Sequence, residues 1–219
     1  MRNEIISGIL SNKLIAIIRG VKKEHLLDLA CALYDGGIRY AELTFSADNQ
    51  FDDTYIAACI EILSKKFDGR LHIGAGTVLS TKQVSLAKAV GAKFIISPDT
   101  YTPVIEKTLQ LGMVSIPGAM TPSEIQNAHR AGADLIKLFP ASAFSLDYIK
   151  AVKAPLSHVP LLAVGGVNEH NIAKYLDAGI KGFGIGGNLV DNSLIEKGDF
   201  DAIRKKAEIY VSEVQKWYS

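Results

Sequence analysis

Residues 91–139 read GAKFIISPDTYTPVIEKTLQLGMVSIPGAMTPSEIQNAHRAGADLIKLF, and this stretch contains the same unit three times. In each copy a glycine precedes a short apolar run, and Gly91, Gly112 and Gly132 lie 21 and 20 residues apart. Glycine is the favoured residue just past the end of a helix, so each one predicts a turn from a helix into a strand. The stretch therefore predicts helices and strands in regular alternation.

The same unit extends over the whole chain. Thr121, Ser80, Ser145 and Asn168 are the predicted N-caps of four of the helices that follow strands. The predicted strands are 14–19, 40–45, 71–73, 94–97, 114–116, 135–139, 161–164 and 183–185.

Short, evenly spaced strand–helix units require parallel strands with helices outside them. Eight units in about 200 residues predict an α/β protein, a closed (β/α)8 TIM barrel at the compact end of its size range. We expect residues 1–219 to form one barrel domain, with an extra N-terminal helix over residues 2–11. A doubly wound open sheet is the structural alternative.

The composition is that of an ordinary globular protein, with 48% apolar and 21% charged residues. The net charge of +1 indicates neither a nucleic-acid partner nor a membrane-surface partner. No segment approaches the ~20 apolar residues of a membrane span, and the first residues do not resemble a signal peptide. Cys31 and Cys59 are predicted free thiols of a reducing compartment. We therefore expect a cytoplasmic protein.

Lys137 is a lone charge in the apolar run 135–139. Desolvation disfavours an ammonium, so burial depresses the pKa of a lysine and frees the amine to attack a carbonyl. Strand side chains alternate between the barrel interior and the helix layer, and a lysine belongs inside. The same alternation turns Glu42 inward, because Leu43 and Phe45 are the residues suited to meet helices.

Arg19 lies at the predicted C-terminal end of the first strand, where barrel enzymes carry their active sites. A carboxylate beside an amine can shuttle protons, and an arginine can bind a carboxylate or phosphate. Lys137, Glu42 and Arg19 together thus predict a catalytic site at the barrel mouth. The alternatives are a structural ion pair between Lys137 and Glu42, and a strand-end salt bridge for Arg19.

Two pairs of glycines, Gly165-Gly166 and Gly186-Gly187, follow the seventh and eighth predicted strands. Phosphate sites of this fold commonly form from these two loops, so the pairs favour phosphate binding over turn geometry alone.

Thr77 ends the third predicted strand with a hydroxyl at the barrel mouth, or caps the next helix. The five histidines form no pair with ligand spacing, so no metal site is expected.

These residues give the chain a family resemblance. It resembles the 2-keto-3-deoxy-6-phosphogluconate (KDPG) and 4-hydroxy-2-oxoglutarate (KHG) aldolases, class I enzymes on a small (β/α)8 barrel that are typically homotrimers. The motifs that carry the resemblance are residues 74–79 (GAGTVL), 96–98 (ISP), 116–118 (IPG), 121–124 (TPSE) and 137–141 (KLFPA).

The resemblance implies cleavage of KDPG, KHG or both to pyruvate and an aldehyde, either glyceraldehyde 3-phosphate or glyoxylate, without a cofactor. It implies that Lys137 forms the Schiff base and that Glu42 is the general acid and base. It also implies the remaining contacts, which are Arg19, Thr77, Pro98 and Phe139 around the substrate, and Gly165, Gly166, Gly186 and Gly187 around the phosphate.

Three positions depart from the family pattern. Ser46 stands where many relatives have an arginine, and Gly187 stands where a serine is usual. Val164 replaces a common threonine, and this form is similar to the 6-phosphogalactonate-specific relatives. The galactonate epimer is therefore an alternative substrate. A phosphate-binding barrel isomerase or epimerase, and a barrel that binds a metabolite without turnover, are more distant alternatives.

Overall fold

The computed structural model describes residues 2–45 and 51–218. Strands and helices alternate along this part of the chain. The strands are β1 (Leu14–Ile18), β2 (Tyr40–Thr44), β3 (His72–Gly76), β4 (Phe94–Ile96), β5 (Val114–Ile116), β6 (Gly118–Ala119), β7 (Ile136–Leu138), β8 (Leu161–Val164) and β9 (Gly182–Ile185).

The helices enclose these strands. They are α1 (Arg2–Asn12), α2 (Lys23–Asp35), α3 (Asp53–Lys66), α4 (Thr81–Ala89), α5 (Thr102–Gln110), α6 (Pro122–Arg130), α7 (Leu146–Lys153), α8 (Ile172–Asp177), α9 (Asn192–Glu196) and α10 (Phe200–Lys216). A 3₁₀ turn, Ala141–Ala143, precedes α7. Within the described ranges, no helix has both the length and the apolar character that a bilayer span requires.

The strands form one parallel sheet in the order β5-β4-β3-β2-β1-β9-β8-β7-β6. The two ends of this sheet belong to one stretch of chain, which Pro117 divides because proline has no N–H to donate. Across the division, Leu135 donates its N–H to the carbonyl of Ser115, and Lys137 donates its N–H to the carbonyl of Pro117. The ring is thereby closed into the predicted (β/α)8 barrel, and the doubly wound open sheet is wrong.

Two strand predictions need correction. The predicted fifth strand is two short strands, β5 and β6, for the reason just given. The third strand runs past the predicted residue 73 to Gly76, because Thr44 of β2 pairs with Gly76 in the sheet register. The motif 74–77 was expected to end this strand, and the strand does end within it, at Gly76.

One predicted helix cap is also wrong. Thr121 forms a full capping box with Glu124, and Ser80 and Ser145 cap α4 and α7 as predicted. Asn168 does not cap α8, which begins three residues later after Asn171. Its side-chain carbonyl accepts a hydrogen bond from the N–H of His170 instead.

The barrel interior is filled at its N-terminal end by a separate apolar cluster. The N-terminal helix α1, slightly longer than predicted, contributes Ile5 and Ile9 to this cluster. Burying an isoleucine stabilises by about 1.5–3 kcal/mol, so α1 acts as a packed base of the barrel. The strand residues of the cluster are Ile15, Tyr40, Phe94, Ile96, Val114, Ile116, Leu135 and Leu162. The other end of the interior is left for a site.

Candidate active site

Lys137 is the central residue of β7 and projects into the barrel. Its neighbour in the same alternation, Leu135, belongs to the interior cluster, while Ile136 and Leu138 pack in the outer apolar layer. The side chain is 7% exposed, and its Nζ lies 4.5 Å from the centroid of the Phe139 ring. Among the described residues, no acceptor is hydrogen-bonded to this Nζ. The amine is thus buried, and its interaction with the Phe139 ring is not a conventional hydrogen bond.

The surroundings of Lys137 favour the uncharged amine. Burial lowers the pKa of its ammonium, the nearby carboxylate of Glu42 opposes this, and the charge of Arg19 adds to it. A lysine whose pKa is lowered spends more time as the neutral amine, which is the nucleophilic form.

Glu42 lies in the middle of β2, in register with Ile17 of β1 and Gly74 of β3. It is only 2% exposed, and its Oε2 atom is buried without a hydrogen-bond partner. Burial raises the pKa of this carboxyl to about 7, although Lys137 and Arg19 both act to lower it. Glu42 can therefore both give and take a proton near neutral pH.

Gly76 makes room for this carboxylate. A Cβ atom added at Gly76 would overlap the Oε2 atom of Glu42. Position 76 must therefore be a glycine, because the Glu42 side chain of the neighbouring strand β2 occupies the space beside it.

The structural ion pair between Lys137 and Glu42 is not formed. In the part of the chain that the structure describes, neither residue belongs to a salt bridge, and Oε2 of Glu42 accepts no hydrogen bond. The two groups influence one another electrostatically without direct contact. Such an arrangement leaves each free to bind a third group.

A cavity of about 460 Å³ opens at the C-terminal ends of the strands. Seven of the ten residues selected from the sequence line it, and the four glycines are among them. The seven are Arg19, Lys137, Phe139, Gly165, Gly166, Gly186 and Gly187. The two glycine pairs therefore share a cavity with the buried amine, as the phosphate hypothesis requires.

Arg19 is exposed at the end of β1. Within residues 2–45 and 51–218, its guanidinium has no ion-pair or hydrogen-bond partner, so the strand-end salt bridge is not formed. An unpaired guanidinium at the cavity mouth can bind an anionic group of a ligand.

Thr77 and Pro98 follow β3 and β4 at the same end of the barrel. Thr77 has a φ of +54°, a conformation that is unusual for a β-branched residue and costs about 1–3 kcal/mol. It is not a helix cap, because α4 is capped by Ser80. The carbonyl of Pro98 backs onto Gly118, where an added Cβ would overlap it. Ser46 lies outside the described residues.

The cavity also contains residues that the sequence did not single out. They are Val167, Asn188, Val190 and Asn192, from the loops after β8 and β9 and from the start of α9. Asn188 directly follows the second glycine pair, and this was the one sequence signal for these residues.

Among the described residues, no group of three His, Cys, Asp or Glu side chains is arranged to hold a metal ion.

The model of the family described as "KDPG and KHG aldolase" matches residues 5–206. The chain belongs to this family. It is therefore an aldolase, a carbon–carbon lyase, rather than the isomerase or the non-catalytic barrel that the sequence left open.

Individual relatives agree with the family match. The chain is 37% identical over 177 residues to the 2-dehydro-3-deoxy-6-phosphogalactonate aldolase of Escherichia coli K12, covering 80% of this chain and 83% of that one. Its fold is similar to a native KDPGal structure, with a TM-score of 0.84, 32% identity, and 94% and 95% coverage. It is also similar to a Legionella pneumophila KDPG aldolase with pyruvate captured as a covalent carbinolamine, with a TM-score of 0.82, 27% identity, and 93% and 96% coverage.

Proposed function

We propose that this protein is a class I aldolase that cleaves a 2-keto-3-deoxy-6-phospho sugar acid through a Schiff base on Lys137. The observation that carries the proposal is the Lys137 amine, which is buried, has a lowered pKa and is hydrogen-bonded to no described residue. The covalent carbinolamine captured in the Legionella relative supports the same chemistry, because a carbinolamine precedes an imine.

The proposed reaction begins at the substrate ketone. The Lys137 amine attacks C2, and the neutral carbinolamine takes up a proton from solvent and loses water, which leaves a protonated imine. The Glu42 carboxylate takes the proton of the C4 hydroxyl, directly or through one water, and the C3–C4 bond breaks. The bond electrons move into an enamine, because the iminium accepts them more readily than a ketone does. C4 leaves as the aldehyde of glyceraldehyde 3-phosphate.

The enamine then returns to pyruvate. Glu42 gives the proton back at C3, and water hydrolyses the iminium, which releases pyruvate and restores the Lys137 amine. This double use of one carboxyl needs a pKa near the working pH, and the pKa of Glu42 is raised to about 7.

The remaining residues of the site fit the two ends of such a substrate. We assign the carboxylate end to Thr77 and Arg19, with Pro98 and Phe139 beside the reacting carbons. We assign the phosphate end to the glycine pairs, whose backbone approaches the cavity without side chains.

The favoured substrate is the galactonate epimer. The 37% identity to the E. coli phosphogalactonate aldolase and the Val164-Gly165-Gly166 sequence both point to it. The gluconate epimer and KHG, which the resemblance also implies, are the competing substrates. A homotrimeric assembly and a cytoplasmic location belong to the same proposal.

The test is a coupled assay of pyruvate release from the three substrates side by side. The proposal expects pyruvate from each substrate that is turned over, with the largest kcat/KM for the phosphogalactonate acid. A preference for the gluconate acid or KHG would reassign the substrate. Conversion of a substrate without pyruvate release would refute the aldolase mechanism.

A further inference from the structure

The loop after β8, residues Gly165–Val167, has all three of its backbone carbonyls occupied. Each carbonyl accepts one hydrogen bond from a different segment of the chain. The donors are Ser142 N to Gly165 O at 3.1 Å, Asn171 Nδ2 to Gly166 O at 3.0 Å, and Asn188 Nδ2 to Val167 O at 2.8 Å. The carbonyls are therefore held in fixed directions.

The N–H groups of the same loop are left unused. In a trans peptide the N–H points opposite to the preceding carbonyl. The N–H groups of Gly166 and Val167 thus point away from the Ser142 and Asn171 donors, and neither bonds to an acceptor in the described chain. Positive φ values of +91° at Gly165 and +75° at Gly166 make this path accessible to glycine.

Asn171 acts from behind this loop. Its Nδ2 donates to the carbonyl of Gly166, and its Oδ1 accepts the N–H of Asn168 at 2.9 Å. The side chain does not line the cavity. Its carboxamide therefore fixes the loop without touching a ligand.

Asn188 joins the two glycine loops. Its side chain spans 21 residues of sequence to reach Val167, while its own N–H and that of Gly187 bond to no acceptor in the described residues. An added Cβ at Gly187 would meet nothing within 4 Å. The loop after β9 thus presents backbone donors beside those of the loop after β8.

We propose that Asn171 and Asn188 are positioning residues for the phosphate end of the substrate. They hold the carbonyls of Gly166 and Val167 aside, so that the N–H groups of both loops are available to one anion. A carbonyl oxygen turned into the cavity would repel a phosphate oxygen, whereas an N–H attracts it. This inference rests on the proposed function, whose substrate carries the phosphate.

The test compares Asn171→Ala, Asn188→Ala and Asn188→Ser with Asn12→Ala. Asn12 is the matched control, because its amide donates to the Gly8 carbonyl in α1 at the base of the barrel. KM and kcat are measured with the phosphogalactonate acid and with unphosphorylated KHG. Binding of inorganic phosphate is measured separately by calorimetry, so the result does not depend on turnover.

The inference expects each site variant to raise KM for the phosphorylated acid and the Kd of inorganic phosphate by about three- to tenfold, the contribution of roughly one hydrogen bond. The ratio of kcat/KM for the phosphorylated acid to that for KHG falls by the same factor, and Asn12→Ala keeps the wild-type ratio. Asn188→Ser loses affinity like Asn188→Ala, because a serine is too short to bridge the loops. Asn171→Asp, which keeps the acceptor but not the donor, repeats the measurement if the alanine variant fails to fold.

Unchanged phosphate affinity in the folded variants, or an equal loss for KHG, would overturn the positioning role. So would a wild-type protein that does not bind inorganic phosphate. Failure of the proposed function is a different result, in which the wild-type protein binds phosphate yet releases no pyruvate from any of the three substrates.

Discussion

Three lysines are buried in the described part of the chain, at positions 13, 137 and 153, and the surroundings of the last two differ. Lys137 in the barrel and Lys153 at the end of α7 are 7% and 9% exposed, and burial lowers the pKa of both. Lys153 donates three hydrogen bonds, to Val159 O at 2.6 Å, Ser157 O at 3.2 Å and Leu156 O at 3.3 Å. Lys137 donates none to a described residue.

This difference separates a structural lysine from a reactive one. At Lys153 the carbonyls solvate the ammonium and use its protons, so burial serves to hold the turn before β8. The Lys137 side chain lines a cavity, its Nζ lies over the Phe139 ring, and it interacts electrostatically with the buried carboxylate of Glu42. Burial and pKa alone do not distinguish the two, whereas the hydrogen-bond partners do.

The largest effect on activity is expected from replacing Lys137 by methionine, and Lys153→Met is its matched comparison. Lys137→Met should lower kcat by about four orders of magnitude or more, because the covalent step has no other amine. Its free energy of unfolding should not fall, since the lost amine had no hydrogen bond to a described residue. Activity and urea unfolding measure the two quantities.

Lys153→Met should give the opposite pattern. Activity stays within about twofold of wild type, and the free energy of unfolding falls by about 1–3 kcal/mol because three hydrogen bonds to backbone carbonyls are lost. Loss of activity in a folded Lys153→Met variant would contradict the assignment of Lys153 as structural and Lys137 as reactive.

Glu42→Gln should lower kcat by about 10²–10³-fold, because an amide cannot exchange the proton that the proposed mechanism moves twice. The wild-type kcat/KM should rise with pH to a plateau above about 7, where the raised pKa of Glu42 lies. This limb should be missing in the variant. An unchanged kcat would remove Glu42 from the proposed site.

Glu42 also predicts a pH dependence of stability. Its folded pKa of about 7 lies above its ordinary value of 4.5, so the folded protein binds this proton more tightly than the unfolded chain. The resulting stabilisation is complete below pH 4.5 and is lost as pH rises through 7. The difference in unfolding free energy between wild type and Glu42→Gln should therefore change between pH 5 and 8 in favour of the variant. A constant difference would contradict the raised pKa.

A smaller loss of activity is expected from filling the space beside the Glu42 carboxylate, at Gly76. Gly76→Ala should lower kcat by about tenfold or more, because the added methyl would overlap the Glu42 carboxylate and displace it. Gly69→Ala is the control, because it lies between α3 and β3, away from the cavity. Its φ of +72° strains a side chain although an added Cβ meets nothing within 4 Å, so its activity is compared once the variant is shown to be folded. Full activity in Gly76→Ala would mean that the detailed position of the carboxylate matters little.

The smallest effect is expected from Gly187→Ser, which supplies the hydroxyl that the family resemblance implies at this position. Space is available there, since an added Cβ meets nothing within 4 Å. KM for the phosphorylated acid should fall by about two- to fivefold, the contribution of one further hydrogen bond. An increase in KM would show that the phosphate does not lie beside residue 187.

The sequence predicted the barrel and the inward direction of Lys137 because both follow from repeating geometry. Glycine spacing marks the helix-to-strand turns, and strand alternation decides which side chains face inside. It did not predict the break at Pro117 as two strands, nor the start of α8 after Asn171 rather than Asn168.

The unpredicted residues of the cavity share one cause. Asn188, Asn192 and the supporting Asn171 lie in loops or at a helix start, where alternation does not determine a side chain's direction. Their hydrogen bonds are long-range or depend on a turn, so only the folded chain brings the partners together. Only Asn188 has a recognisable sequence signal, because it directly follows the glycine pair Gly186-Gly187.

The most direct test of a reactive Lys137 is borohydride reduction of the protein with pyruvate, followed by peptide mass spectrometry of Lys137 and Lys153. We expect a reduced pyruvate adduct on Lys137, together with loss of activity, and an unmodified Lys153. An adduct on Lys153 instead, or active protein recovered with Lys137 unmodified, would contradict the proposed chemistry.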